Sequence, residues 1–166
     1  MKPRSIVLLI PVFLLLPSCN NSDDEGRTPF LTESSDLVCK SFLPLKGNQP
    51  GPGLSCVDYS YDGDSILTLS HLNSAFNCCP EDILVEFEIK GDSILITEDD
   101  KEELCKCNCL FDVEIKLHNI GKDKYHVRFK EPYVFQDSTR MTFPIDLENE
   151  PVGRFCVKRT YYPWRE

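Results

Sequence analysis

The chain has 166 residues, 41% of them hydrophobic and 27% charged, with a formal net charge of -9, nine cysteines, three histidines and one tryptophan. That mixture excludes a disordered or collagen-like chain, and the length allows one domain with a tail. The acidity, with basic residues that do not cluster, sets the chain against nucleic acid as a partner, because like charge repels a phosphate backbone.

Lys2 and Arg4 precede an apolar run, Ile6 to Leu16, that stops at Pro17-Ser18-Cys19. A charged head, a short apolar stretch and a small-residue stop mark a secretory signal peptide, here residues 1–18. The run contains Pro11 and falls well short of the roughly 20 apolar residues that a membrane-spanning helix needs. Leu16-Pro17-Ser18-Cys19 resembles the Leu-x-x-Cys lipobox of bacterial lipoproteins, with Pro17 as its departure from the usual box. The resemblance implies a mature chain that begins at Cys19 and is held to a membrane by lipid on that residue. Asn20-Asn21-Ser22-Asp23-Asp24-Glu25-Gly26 resembles the acidic export signal of Bacteroidetes surface lipoproteins, which implies an outer-membrane anchor and display at the cell surface. By composition alone, Asp23 to Glu25 is an ordinary solvated run, and the protein would then face the periplasm.

Residues 19–36 read as a flexible acidic tether and residues 37–166 as a single domain. Pro44, Gly47, Pro50, Gly51, Pro52 and Gly53 mark a loop that excludes helix and central strand. From Leu54 onward the hydrophobic period becomes two. Ile83, Val85, Phe87 and Ile89 alternate with Leu84, Glu86, Glu88 and Lys90, predicting a strand with one buried face, and Gly91-Asp92 turns it into Ser93 to Thr97. Gly-Asp-Ser-Ile-Leu occurs at 63–67 and again at 91–95, which predicts two hairpins with similar turns rather than a duplicated domain. Cys105 to Leu117 sets Cys105, Cys107, Cys109, Phe111, Val113, Ile115 and Leu117 on one face, so a continuous strand would turn all three thiols to the core.

Val113 to Asn119 and Tyr125 to Lys130 read as a hairpin around Gly121. Strands follow at Met141 to Leu147 and Arg154 to Tyr161, and the one helical signal is a single turn at Asp99 to Leu104. Many short strands with Gly, Pro and Asp turns predict an all-β fold, an antiparallel β-sandwich of immunoglobulin-like or similar form, stapled by disulfides.

A domain of roughly 150 residues buries enough surface to fold without covalent help, so the cysteines report on compartment or chemistry. With Cys19 set aside, Cys39, Cys56, Cys78, Cys79, Cys105, Cys107, Cys109 and Cys156 are disulfide candidates, as export to an oxidising compartment implies. Eight cysteines allow roughly a hundred pairings. A Cys78 to Cys79 bond, or bonds among Cys105, Cys107 and Cys109, would distort the backbone. The remaining patterns mostly tie Cys78 or Cys79 to the triple-cysteine strand. Cys156, on the face opposite Phe155 and Val157, is expected to pair with Cys39. Cys107 is expected at the centre of the buried face, oxidised, so that its loss costs stability rather than an activity. The competing reading makes Cys78, Cys79, Cys105, Cys107 and Cys109 a soft-metal or thiol-redox site, binding copper(I) for instance, because thiolates select soft ions. Cysteines at spacing two depart from the pairs usual in structural zinc sites.

Other chemistry is sparse. One register of the predicted hairpin sets His118 opposite His126, but no third metal ligand accompanies them. His71 is expected to be partly buried and hydrogen-bonded. No serine sits in a Gly-x-Ser-x-Gly elbow, and the pairs Glu86 with Glu88 and Asp99 with Asp100 read as exposed alternation or turn. Phe76-Asn77-Cys78-Cys79-Pro80, the paired Gly-Asp turns and Cys105-Lys106-Cys107-Asn108-Cys109-Leu110-Phe111-Asp112 resemble a group of uncharacterised Bacteroidetes lipoproteins with a similar Cys-Cys and Cys-x-Cys-x-Cys arrangement, over roughly residues 54–130. That resemblance implies no activity, substrate or ligand. The expectation is a non-catalytic binding or structural module without cofactor, meeting a protein or glycan ligand at strand-end loops such as Lys46 to Gly53. Tyr161-Tyr162-Pro163-Trp164-Arg165 is expected to pack against the sheet.

Overall fold

The computed structural model describes residues 28–35, 37–40, 49–101, 105–134, 139–160 and 163. The signal peptide, Cys19 and the acidic run therefore lie outside the described residues, as do Lys46 to Asn48 of the loop, Glu102 to Leu104, and the tail apart from Pro163. The described residues form β1 (Phe30–Ser35), β2 (Leu54–Tyr61), β3 (Leu67–Asn77), β4 (Asp82–Lys90), β5 (Ser93–Lys101), β6 (Asn108–His118), β7 (Lys124–Lys130), β8 (Thr142–Asp146) and β9 (Val152–Lys158), with no helix among them. No helix among them is long and apolar enough to cross a membrane.

The strands make a five-stranded sheet in the order β1-β6-β3-β2-β9 and a four-stranded sheet in the order β4-β5-β7-β8. Alternation gives each sheet one apolar face, and the two faces bury each other. Val57, Leu69, Phe111 and Ile115 of the first pack into one core with Ile94, Ile96, Val127 and Phe143 of the second. The fold is thus the expected all-β sandwich. The β4–β5 hairpin closes at Lys90 opposite Ser93, and Gly91 takes the positive φ of 59° that a two-residue hairpin turn demands. Its twin, Gly63-Asp64, lies in a longer loop between β2 and β3. There the N–H groups of Asp64, Ser65 and Ile66 each donate to Asp62 Oδ1 at 2.9 Å. Met141, Phe143, Ile145 and Leu147 are buried as their alternation predicts.

Five features differ from the sequence reading. Phe30–Ser35, which composition assigns to the tether, is β1 and pairs antiparallel with β6 from Phe30 opposite His118 to Ser35 opposite Val113. Its Thr-Glu-Ser-Ser stretch has no apolar alternation of its own, so only its partner reveals it. Second, β6 and β7 do not form a hairpin. The chain crosses the sandwich between them, which leaves His118 beside Phe30 and His126 beside Ser93 and Pro144. Two runs with core-facing odd residues fit a hairpin or a crossover equally well, and here Ile120, 2% exposed, plugs the core at the turn.

Third, β5 and β7 are parallel, so the second sheet is mixed rather than purely antiparallel. Fourth, Asp99 to Lys101 continue β5 instead of starting a helical turn, with Asp99, Asp100 and Lys101 opposite Leu84, Ile83 and Asp82. Fifth, β9 spans Val152–Lys158, starting before the predicted Arg154 and ending before Tyr161. At Gly153 the ring of Tyr59 crosses the backbone so closely that a Cβ would lie 2.5 Å from its hydroxyl oxygen.

A bulge in β3 governs which side chains face inward. Its register against β6 shifts between Leu72 and Ser74, where Asn73 adopts a φ of 60°. Asn tolerates this left-handed conformation better than most residues, and here it is held from all sides. Its side-chain amide donates to the carbonyls of Pro50, Gly51 and Leu54, and Lys40 Nζ donates to its oxygen at 2.8 Å. The bulge changes the parity of the strand. Leu67, Leu69 and His71 face the core before it, and Ser74 and Phe76 after it.

Candidate functional site

All eight cysteines beyond Cys19 are paired, as Cys39–Cys109, Cys56–Cys156, Cys78–Cys107 and Cys79–Cys105. Cys78 and Cys79 do tie to the triple-cysteine segment. The expected bond between Cys39 and Cys156 does not form. Cys156 is the ladder partner of Cys56 across β2 and β9, whereas Cys39 reaches Cys109 beside the bond that Lys40 N–H donates to the Leu110 carbonyl. Nor do all three thiol positions face the core. β6 begins only at Asn108, so Cys109 is buried while Cys107 is exposed and Cys105 half-buried. The extended pattern fails before Asn108, where one side-chain and one backbone donor at the end of β3 capture the chain. Asn77 Nδ2 donates to the Cys105 carbonyl at 2.7 Å, and Cys78 N–H donates to the Cys107 carbonyl.

These contacts make a compact cysteine corner. Asn77 is its keystone, since its N–H donates to Asp100 Oδ2 and its Oδ1 accepts from Cys79 N–H, while Tyr133 Oη also donates to Asp100. The sulfurs of Cys78, Cys105 and Cys107 lie within 4.8 Å of one another. A metal needs thiolates, so these sulfurs become ligands only once their disulfides are reduced.

A second constellation escaped the sequence reading. Each of five inward-facing apolar runs ends in a polar residue. Tyr59 and Val57 lead to Ser55, Leu67 and Leu69 to His71, Ile94 and Ile96 to Glu98, Val127 and Phe129 to Glu131, and Val157 to Arg159. The parallel register of β5 and β7, Ile94 with Val127 and Ile96 with Phe129, carried one step further sets Glu98 beside Glu131. The result is a polar layer sealed between the sheets. His71 Nδ1 lies 2.9 Å from both Glu98 oxygens, and Nε2 lies 2.9 Å from Ser55 Oγ and 3.7 Å from Glu131 Oε1. Ser74 Oγ donates to Glu98 Oε2, and Arg159 donates to Glu131 Oε2 and to the Thr139 carbonyl. The signal was in the sequence: Glu98, Glu131 and Arg159 continue the inward parity of apolar strands. His71 itself is fully buried rather than partly so.

Ser55, His71 and Glu98 stand in the order of nucleophile, base and orienting acid. Two observations count against acyl transfer here. Ser55 and His71 have no exposed surface, so a substrate carbonyl has no approach to Oγ. Burial lowers the imidazole pKa, but the charge and hydrogen bond of Glu98, with Glu131 behind it, more than reverse this and raise it above the ordinary histidine value. Whenever the ring is protonated it donates through both nitrogens, Nδ1–H to Glu98 and Nε2–H to Ser55 Oγ, and has no lone pair for a serine proton. The layer is a charge network closing the core.

Its protonation fixes the sign of the pH response. Burial also raises the Glu131 pKa, against the lowering pull of His71 and Arg159. A group with a raised folded pKa stabilises the fold while protonated, and that contribution fades as pH rises through the folded value. For His71 it is complete below about pH 6.5. At the acid end, Asn149 and Lys124 hydrogen bonds hold Asp146 at about 2, and the Ile66, Asp64 and Ser65 N–H groups hold Asp62 below its ordinary value. Those contributions are present above about pH 4 and fade on acidification. The melting temperature is therefore expected to peak in mildly acidic buffer and to fall as pH rises above about 6.5, by at most about 1.4 kcal/mol per pH unit for each proton released. His71→Gln should flatten the alkaline limb, and an equal slope in both proteins would contradict the assignment.

The register that would set His118 opposite His126 does not occur: His118 stacks on Phe30 at 4.3 Å and lies 3.0 Å from Thr32 Oγ1 in the five-stranded sheet, whereas His126 belongs to the other sheet. Of the predicted ligand loop only residues 49–53 are described, and they pack on Asn73 and β2. A shallow depression of about 260 Å3 opens on the outer face of the five-stranded sheet, lined by Ser34, Ser70, Leu72, Asp112, Val113 and Glu114. Compared with known proteins, the chain matches no family model, no curated protein and no solved structure.

Proposed function

We propose that this is a lipoprotein anchored through lipid on Cys19 to the outer membrane, displayed at the cell surface, and acting as a non-catalytic binding or structural module for a protein or glycan. The observation that carries the reading is the pairing of every cysteine beyond Cys19 into a disulfide, the state that an oxidising compartment maintains. A rigid sandwich with a packed interior leaves its outer faces and strand-end loops for recognition, and the depression around Asp112 and Glu114 is such a surface. The test is expression of the full chain in a Bacteroidetes host. Wild type should partition into detergent with membranes, carry an acylated Cys19, and be cut by protease added to intact cells. Cys19→Ala should become soluble. Protease protection of an acylated wild type would place the module on the periplasmic side, and an unacylated, soluble wild type would overturn the anchor.

A second reading, soft-metal binding or thiol redox, is favoured by the proximity of the Cys78, Cys105 and Cys107 sulfurs. It requires the corner to be reduced.

A further inference from the structure

We propose that Cys78, Cys79, Cys105 and Cys107 form one thiol–disulfide exchange site that accepts electrons from a soluble dithiol, while Cys39–Cys109 and Cys56–Cys156 stay closed. The inference rests on the thiol-redox half of the second reading and narrows it to two bonds and one class of reactant.

The two kinds of bond differ in where a leaving thiolate would go. Cys56 is 0% exposed and Cys109 2%, whereas their partners Cys156 and Cys39 are exposed. A thiolate attacking either outer sulfur must expel the inner one as an anion into a nearly water-free site, which raises its pKa and makes it a poor leaving group. In the corner, Cys107 is exposed and Cys78, Cys79 and Cys105 are half-buried, with Cys78 resting against the core, so none of the four is sealed from water as Cys56 and Cys109 are. Lys106, exposed, stands between Cys105 and Cys107 in the chain.

One thiolate of the dithiol attacks Cys107 Sγ, forming a mixed disulfide there, and the electron pair of the broken bond leaves on Cys78 as a thiolate. The second thiolate of the reagent attacks its own sulfur in the mixed disulfide, closing the oxidised reagent and releasing Cys107 as a thiolate. Two electrons have passed into the corner, and the two thiolates take up protons according to pH. The Cys105 sulfur lies within 4.8 Å of that of Cys78, so the freed Cys78 thiolate has the Cys79–Cys105 bond in reach. Its attack forms Cys78–Cys105 and frees Cys79, with no net change in oxidation. The pair of bonds thus behaves as one unit. The backbone beneath it is held by Asn77 and Asp100 rather than by sulfur, so opening the corner leaves the sandwich folded.

The experiment exposes the native mature protein to graded dithiothreitol, quenches with acid, alkylates, and maps each cysteine by mass spectrometry while near-ultraviolet dichroism follows the fold. All four corner cysteines should be alkylated at a reductant concentration at least about tenfold below that which opens the other two bonds, with dichroism unchanged. With glutathione in place of the dithiol, the mixed disulfide should reside on Cys107. Simultaneous release of all eight thiols with loss of dichroism, or earlier opening of Cys56–Cys156, overturns the proposal. A copper(I) titration of the reduced protein against a competing chelator then separates the two failures. Tight binding lost in Cys78→Ser/Cys107→Ser, without selective reduction, leaves the metal reading standing and removes the exchange site, whereas neither property removes both.

Discussion

Glu98→Ala is expected to lower the melting temperature by roughly 6–20 °C near pH 6. Breaking one partner out of a buried ion pair costs about 3–5 kcal/mol, and a domain of this size loses about 2–4 °C per kcal/mol. The carboxylate accepts from His71 Nδ1–H and Ser74 Oγ–H inside a site where it is itself 2% exposed. Its removal leaves an imidazolium and a hydroxyl with no acceptor and no water to replace it. The loss should depend on the charge that stays behind. In His71→Leu/Glu98→Leu both charges go, Glu131 retains Arg159, and an apolar pair fills the space, so the double variant should be more stable than the sum of the two single leucine variants by about 1–3 kcal/mol. Calorimetry on the four proteins of the cycle measures this directly. A Glu98→Ala melting point within about 2 °C of the parent would mean that the layer is not closed to water in solution.

Loss of the Cys56–Cys156 bond should have an effect of similar size, for a different reason. The two residues face each other in the ladder of β2 and edge strand β9 and close the longest covalent loop in the chain, with a sequence separation of 100. Chain-entropy estimates give about 4.7 kcal/mol for a loop of that length, and Cys56→Ala/Cys156→Ala should therefore melt about 10–20 °C lower. The corner bonds provide the contrast. Cys78–Cys107 and Cys79–Cys105 span separations of 29 and 26 and close nearly the same loop, so once one is present the other constrains little more of the unfolded chain. Cys107→Ala, from an exposed position, should cost clearly less than the Cys56/Cys156 change, and removal of both corner bonds more than twice the cost of removing one. Equal losses for the long loop and one corner bond would show that local strain or packing, not loop closure, sets these energies.

How far the residues alone reach is visible in particular elements. The β4–β5 hairpin, the alternation of Met141 to Leu147, the sandwich class and the linkage of Cys78 and Cys79 to the cysteine-rich segment all follow from local pattern, because a period of two and a Gly-Asp turn act over a few residues. Other features depend on contacts between distant residues. Whether β6 folds back on β7 or crosses to the other sheet is not encoded in either strand, since both present the same apolar parity. Edge strand β1 exists through the backbone bonds that β6 supplies. The bulge at Asn73 turns His71 and Ser74, three residues apart, towards one carboxylate, and no periodic reading anticipates a change of parity held by the carbonyls of Pro50, Gly51 and Leu54. The partners of Cys39 and Cys156 were decided in the same way, by ladder register and by where β6 begins. Sequence by itself determined which residues alternate and turn; tertiary structure decided which of them meet, because burial and charge pairing are properties of neighbours that the chain brings together only after it has folded.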